Sequence, residues 1–274
     1  MPSRCGETFS GDALNDDTDR HARIDVVRVE EAGLNALQTQ RQLFYDGWLL
    51  RLSPGKAKRA RSVNPHFSSS LPVADKIRYC ESAYARHALP ILFRLTPTSR
   101  PADLERVLAD RGYEAFGETL VQTLAMDRPP ELPDCADEVV IEAPETDAFV
   151  DAVHELRGST PEQREAHRER LVNSPLLKRH ALVRAGERAV CAAQVVVDAS
   201  LVGVFDVITV TEARGKGYAT LACAWLLSWA WEHGANVAYL QVQADNAPAI
   251  ATYRRFGFAT MYTYHYRGRP GQCE

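Results

Sequence analysis

A strand-like run rich in Val, Ile and Phe, residues 201–210, leads into Glu212-Ala213-Arg214-Gly215-Lys216-Gly217, and that loop opens directly onto a helical stretch, residues 218–233, stopped by Gly234. No other part of the chain restricts the fold as much. The glycines let the backbone adopt conformations barred to other residues and approach a ligand closely. The first-turn N–H groups of the helix have no intrahelical partner, and the positive end of its dipole points into the loop. The junction therefore suits a phosphate or pyrophosphate, or a tight turn with no ligand. A P-loop needs Ser or Thr after Gly-Lys, and here Gly217 follows Lys216. A dinucleotide fold puts its glycines after a strand of a parallel unit. Here the loop follows a meander of strands, residues 180–185, 190–197 and 201–210, and only Asp245, past the next strand, fits that fold.

The rest of the chain can be read around this junction. Residues 146–156 and 161–171 have helical patterning, 237–243 reads as a strand, and a helix starts at Asp245-Asn246, carries Pro248 in its first turn and ends before Gly257. Residues 258–266 alternate as a strand. Upstream, strands are expected at 44–52, 59–67, 90–95 and 118–126, with helices at 72–88 and 101–111. Leu108-Ala109-Asp110-Arg111-Gly112-Tyr113 aligns over Tyr253-Arg254-Arg255-Phe256-Gly257-Phe258, 145 residues later, which points to two copies of one unit. The first copy has no glycine loop before Pro72, and Leu108 stands where the second has Tyr253. The proline- and acid-rich stretch 128–134 reads as the boundary. The expectation is an α/β chain of two tandem domains, residues 23–130 and 131–274, each a mixed, mostly antiparallel central sheet flanked by helices. A polar tail, residues 1–22, is expected to be disordered.

Composition excludes several classes. A formal charge of -4 and a pI near 6.1 give no footprint for nucleic acid and no polybasic signal for a membrane. The cysteines at 5, 80, 135, 191, 223 and 273 have neither metal-ligand nor redox spacing, so no metal is expected and a reducing, cytoplasmic setting is the simplest reading. The first residues contain no apolar signal-peptide stretch, and the most apolar segment, 218–231, is too short to span a bilayer.

A second motif lies at Asn246-Ala247-Pro248-Ala249-Ile250-Ala251-Thr252-Tyr253, continuing to Gly257-Phe258. Tyr253 falls two helical turns beyond Asn246 on the same face. Its phenol can donate a proton to a leaving thiolate at neutral pH, or its ring can simply pack in the core.

Together, Arg214-Gly215-Lys216-Gly217-Tyr218-Ala219 and Asn246-x-x-Ala249-x-x-x-Tyr253-x-x-x-Gly257-Phe258 resemble the two hallmarks of the GNAT superfamily of N-acetyltransferases, over roughly residues 139–266. The resemblance implies an acetyl-coenzyme A-dependent enzyme. Arg214, Gly215, Lys216, Gly217, Tyr218, Ala219 and Thr220 would form the pyrophosphate loop, and Val207, Ile208 and Thr209 would hold the pantetheine arm and thioester carbonyl. Asn246 would contact pantetheine or order the next helix, and Tyr253 would protonate the thiolate. A small-molecule, protein or peptide amine would attack directly, with no covalent enzyme intermediate. The strand position five before Asn246, often an acid in relatives, is Gln241, which cannot take a proton. Asp206 is the nearest alternative base, or else a buried carboxylate satisfied by backbone donors; His154 and His265 are further candidates. The basic stretch from Gly47-Trp48 through Lys56 to Asn64 reads as an acceptor-recognition surface or a solvated hairpin, with Arg61 and Asn64 able to face the groove between halves. The competing reading is an acyl-coenzyme A sensor or regulatory subunit without turnover.

Overall fold

The computed structural model describes residues 25–133 and 139–271. The tail expected at residues 1–22, and Cys5, Cys135 and Cys273, lie outside them. The first half contains α1 (Val26–Asn35), β1 (Gln42–Tyr45), β2 (Trp48–Arg51), β3 (Val63–Pro65), α2 (Val73–Arg86), β4 (Leu92–Leu95), α3 (Leu104–Asp110) and β5 (Glu114–Ala125). The second contains β6 (Val139–Glu142), α4 (Thr146–Arg157), α5 (Pro161–Val172), β7 (Leu177–Ala185), β8 (Arg188–Asp198), β9 (Leu201–Thr209), α6 (Tyr218–Glu232), β10 (Val237–Gln243), α7 (Ala247–Phe256) and β11 (Ala259–Gly268).

The expectation of one central sheet per half is corrected by the strand order. All the strands form one mixed sheet, β1-β2-β3-β4-β11-β5-β10-β9-β8-β7-β6. β5 lies between β10 and β11, both from the second half, and β11 lies between β4 and β5, both from the first. Each half thus lends its final strand to the other, and the sheet passes through the boundary placed near residue 130. Strand patterning specifies which side chains face inward but not which strand lies alongside, so the exchange is invisible to local reading.

Alternation sorts the core onto the two faces. On β8, Cys191, Ala193, Val195 and Val197 pack with α6 and α7, while Ala192 packs with α4 and α5, and Val196 lies under α1. Leu92 meets α1, so its neighbour Phe93 points to the opposite face, into the cluster of α2 and α3. The helix C-terminal caps repeat as the alignment implied. Tyr113 N–H donates to Leu108 O at 3.1 Å past Gly112, and Phe258 N–H donates to Tyr253 O at 3.2 Å past Gly257, with positive φ at both glycines.

Three local readings need revision. Residues 44–52 are a hairpin, because Asp46 and Gly47 form a tight turn with positive φ at both positions. The strand expected at 59–67 shrinks to Val63–Pro65 behind a 3-10 turn, Lys58–Ala60. α1 was not anticipated; Asp25 caps it by accepting from Val27 N–H at 3.2 Å.

α1 also closes a buried charge network. Glu30 takes both ends of the Arg94 guanidinium, at 2.5 and 2.9 Å, and accepts from the Tyr262 hydroxyl. Arg94 stands 3.8 Å from the Tyr264 ring centroid, and His66 Nε2 is 3.7 Å from Glu30. Burial raises the Glu30 pKa, but Arg94 and Tyr262 outweigh it and hold the carboxyl below its usual range.

Candidate functional site

β9 and β10 run parallel but pair only from Leu201↔Val237 to Val204↔Leu240. Beyond Val204 they splay, while β9 stays paired to β8 and β10 to β5. The parting coincides with a bulge. Ala192 pairs with Ile208 and Gln194 with Phe205, so Asp206 and Val207 share the place opposite Ala193, and Asp206 has φ of 51°. A wedge therefore opens in the sheet with the free edge of Val207, Ile208 and Thr209 along one side.

The glycine loop closes the wide end. Gly215 and Gly217 have φ of 79° and 84°, and a Cβ on either would meet no atom within 4 Å. Packing does not enforce glycine here; the left-handed backbone does, and the loop faces open space. The N-cap position of α6 is Gly217, which has no side chain to cap the helix, so the N-terminus of α6 opens at the loop. A 520 Å³ cleft runs along the loop, lined by Val207, Ile208, Thr209, Arg214, Gly215, Gly217, Tyr218, Ala219 and Thr220, and continues past Asn246 to Tyr253. Of the residues expected to bind coenzyme, only Lys216 is outside this lining. Asn246 has an ordering role: its side chain caps α7 by accepting from Ala249 N–H at 3.2 Å.

A second cleft of 410 Å³ opens on the opposite side of the splay, between α4, α5 and the first half of the chain. The two clefts share Val207, Asn246, Ala249 and Tyr253. Tyr253 is 8% exposed, and its hydroxyl makes no hydrogen bond among the described residues. Burial is the main cause raising its pKa, so the phenol stays protonated through neutral pH. Its ring packs edge-on to Phe258 at 6.0 Å.

Asp206 lies in the second cleft and is only 17% exposed. It accepts from Arg157 Nη2 at 2.6 Å and Gln194 Nε2 at 2.5 Å, and its other partner is His167 Nε2 at 3.1 Å. Its partners are side chains, not the backbone donors considered from the sequence. Burial raises its pKa, but Arg157 and His167 prevail and hold it well below the carboxylate range. A carboxylate so held is a poor base at neutral pH. His167, overlooked in the sequence, is the histidine it orients; nothing in a charged helix, residues 161–171, marked it out. His154 lines the same cleft, whereas His265 pairs with Glu105 at 3.0 Å and lines neither cleft. Gln241 is committed structurally: its Oε1 accepts from the Tyr264 hydroxyl at 2.9 Å. From the basic stretch, the cleft takes Lys56, Ala57 and Arg59, not Arg61 or Asn64. The 3-10 turn ends the chain's approach to the cleft before Arg61, and Asn64 is buried with its Nδ2 donating to Ser62 O.

This arrangement can be set beside known proteins. Residues 24–267 match the family model described as "Probable histone acetyltransferase Rv0428c C-terminal". The chain belongs to this family, within the GNAT superfamily. It is 27% identical over 247 residues to the "Uncharacterized N-acetyltransferase YobR" of Bacillus subtilis (strain 168), covering 89% of this chain and 98% of that one. A GCN5-related N-acetyltransferase from Kribbella flavida superposes with a TM-score of 0.68 at 20% identity, covering 89% of this chain and 95% of the other. A tandem GNAT protein from the clavulanic acid biosynthesis pathway superposes with a TM-score of 0.57 at 14% identity, covering 75% and 74%. The chain is thus a GNAT acetyltransferase of α/β fold, built on a mixed sheet with flanking helices. Among the described residues no helix is long and apolar enough to cross a membrane.

Proposed function

We propose that this GNAT protein transfers an acetyl group from acetyl-coenzyme A to a primary amine by direct attack. The observation that carries the reading is the meeting of two clefts at Val207, Asn246, Ala249 and Tyr253. Two substrates entering from opposite sides of the splayed strands come within reach of each other there, as direct transfer requires. The residues fit the coenzyme: the glycine loop at the positive end of the α6 dipole suits its pyrophosphate, and the free edge of Val207–Thr209 suits its amide-bearing arm. When bound, acetyl-coenzyme A supplies the activated acetyl group. Tyr253 holds the proton for the departing sulfur. His167, oriented by Asp206, takes the proton from the amine. Replacing His167 with Asn is expected to slow acetylation about 10²-fold, the lower end of general base catalysis; unchanged turnover under rate-limiting chemistry would remove His167 from this role.

The two halves are a tandem pair in this reading, the first degenerate. In the loop before α2, the Ser70 and Leu71 amides donate to the Asp46 carboxylate at 2.9–3.1 Å, with Lys76 3.3 Å away. Those amides are already engaged by a carboxylate of the chain itself, and Leu108 is a core residue. One coenzyme per chain is therefore expected. Calorimetry with acetyl-coenzyme A tests both points. Gly217→Asp puts a negative charge and a strained φ on the loop, and should weaken affinity tenfold or more, roughly 1.4 kcal/mol, in a folded protein. Unchanged affinity in that variant, or a stoichiometry of two, contradicts the reading.

A further inference from the structure

The cleft on the first-half side of Tyr253 is unevenly charged. Lys56, Arg59, Arg157, Arg164 and Arg170 line it, against one carboxylate, Asp206. Arg157 is paired with Asp206, and Arg164 with Asp151 through Nε at 2.6 Å. Lys56, Arg59 and Arg170 form no ion pair within 4.0 Å of a carboxylate among the described residues, although Asp206 and Glu169 act on Arg170 at longer range.

Two of these three are not ordinary surface cations. Arg59 Nη1 and Arg170 Nε are buried and make no hydrogen bond. Arg170, on α5, reaches across to the first half: its Nη1 would lie 3.1 Å from a Cβ on Gly55, and it donates to Ala166 O at 3.0 Å. Arg59, from the first half, sits 5.4 Å from the centroid of the Phe205 ring on β9. The cleft thus draws one guanidinium from each half, beside the strand that carries Asp206. Burial is the main influence lowering the Arg170 pKa; Asp206 opposes it, while Arg157 and Arg59 add to it. Partly buried like charges are costly together unless an anion lies between them. Guanidinium groups match carboxylate and phosphate oxygens in number and geometry. A volume of 410 Å³ is that of a small-molecule site.

Resting on the acetyl-transfer reading above, we propose that the acceptor is a small amine that also carries a carboxylate or phosphate, gripped by Arg59 and Arg170 while its amine reaches Val207 and Tyr253. The nitrogen forms a bond to the acetyl carbon as the carbon–sulfur bond breaks. One amine proton leaves through His167 and the sulfur receives one from Tyr253, giving an N-acetyl anionic product and free thiol. The first half of the chain then has a task of its own: it supplies one side of the grip.

Matched amines test this: β-alanine against β-alaninamide, lysine against lysinamide, and phosphoethanolamine against ethanolamine, with thiol release from acetyl-coenzyme A as readout. The anionic member of at least one pair is expected to lead in kcat/KM by about tenfold or more, and the pair that leads distinguishes carboxylate from phosphate. Arg59→Gln and Arg170→Gln should erase the preference by raising KM rather than lowering kcat, with Arg170→Lys retaining part of it. Arg78→Gln, on the exposed face of α2, should leave it intact. Neutral partners turning over as well, or a preference that survives both Gln variants, overturns the proposal. If acetyl-coenzyme A binds but no amine turns over, calorimetry of the three anionic amines with coenzyme A present decides: no binding overturns the anion grip and leaves the coenzyme reading standing. If acetyl-coenzyme A itself fails to bind, the earlier reading falls, and the same titration of the free protein reads the grip alone.

Discussion

Tyr253→Phe is expected to lose about 10²–10⁴-fold in turnover while keeping its coenzyme affinity, the range for a lost general acid. Tyr253 lines both clefts at their junction, and no other phenol does. Its hydroxyl makes no hydrogen bond that the substitution would orphan, and Phe keeps the edge-on contact with Phe258. The fold should therefore lose little, and the cost should fall on kcat, since in the proposed transfer the proton is needed only as the sulfur departs. The check pairs single-turnover rates with a thermal melt. Full activity removes Tyr253 from the mechanism. A loss of stability that parallels the loss of rate assigns the residue to packing instead.

Arg94→Met is expected to destabilise the protein by about 3–5 kcal/mol, the cost of leaving one member of a buried pair without the other. Both side chains of the pair are only 2% exposed, where α1 covers the middle of the shared sheet. The sign of the pH dependence should reverse as well. In the parent protein Glu30 is held below its ordinary value of 4.5, so its contribution is present above that pH and is lost as pH falls through the lower native value. Without Arg94, burial raises Glu30 above its unfolded value; stability is then greatest at low pH and declines as pH rises through the new value. Denaturant midpoints across pH 3–8 for both proteins check this, and parallel curves would refute it. A second change, Glu30→Gln, should recover part of the loss by removing the stranded charge.

The cleft along the glycine loop was largely legible because its determinants are local. Two glycines at positive φ, a strand before them and a helix after them lie in one contiguous stretch, and Asn246 and Tyr253 share one helix face. The two aligned helix ends were also legible, since Gly112 and Gly257 each follow a helix closed by the same hydrogen bond. The second cleft was mostly hidden. Asp206, Arg157, His167 and Arg59 come from four separate segments, and no spacing rule links them. Asp46-Gly47 shows a different failure: the turn signal was present between strand-like residues but was passed over for the longer run. The exchange of β5 and β11 could not be read at all, since both strands have ordinary alternation and partners far away in the sequence.

That exchange has a consequence for how the protein is made. A nascent chain leaves the ribosome from its N-terminus, and its early domains generally fold as they emerge. Here β5 has no strand neighbour within its own half; its two flanking strands, β10 and β11, appear more than a hundred residues later. Until β10 is out, the first half exposes both edges of β5, and until β11 follows, one edge of β5 and one edge of β4 stay open, with the apolar side chains they carry. Translation stalled anywhere between β5 and β11 would leave the sheet unclosed, so its closure waits on β11, which joins β4 to β5.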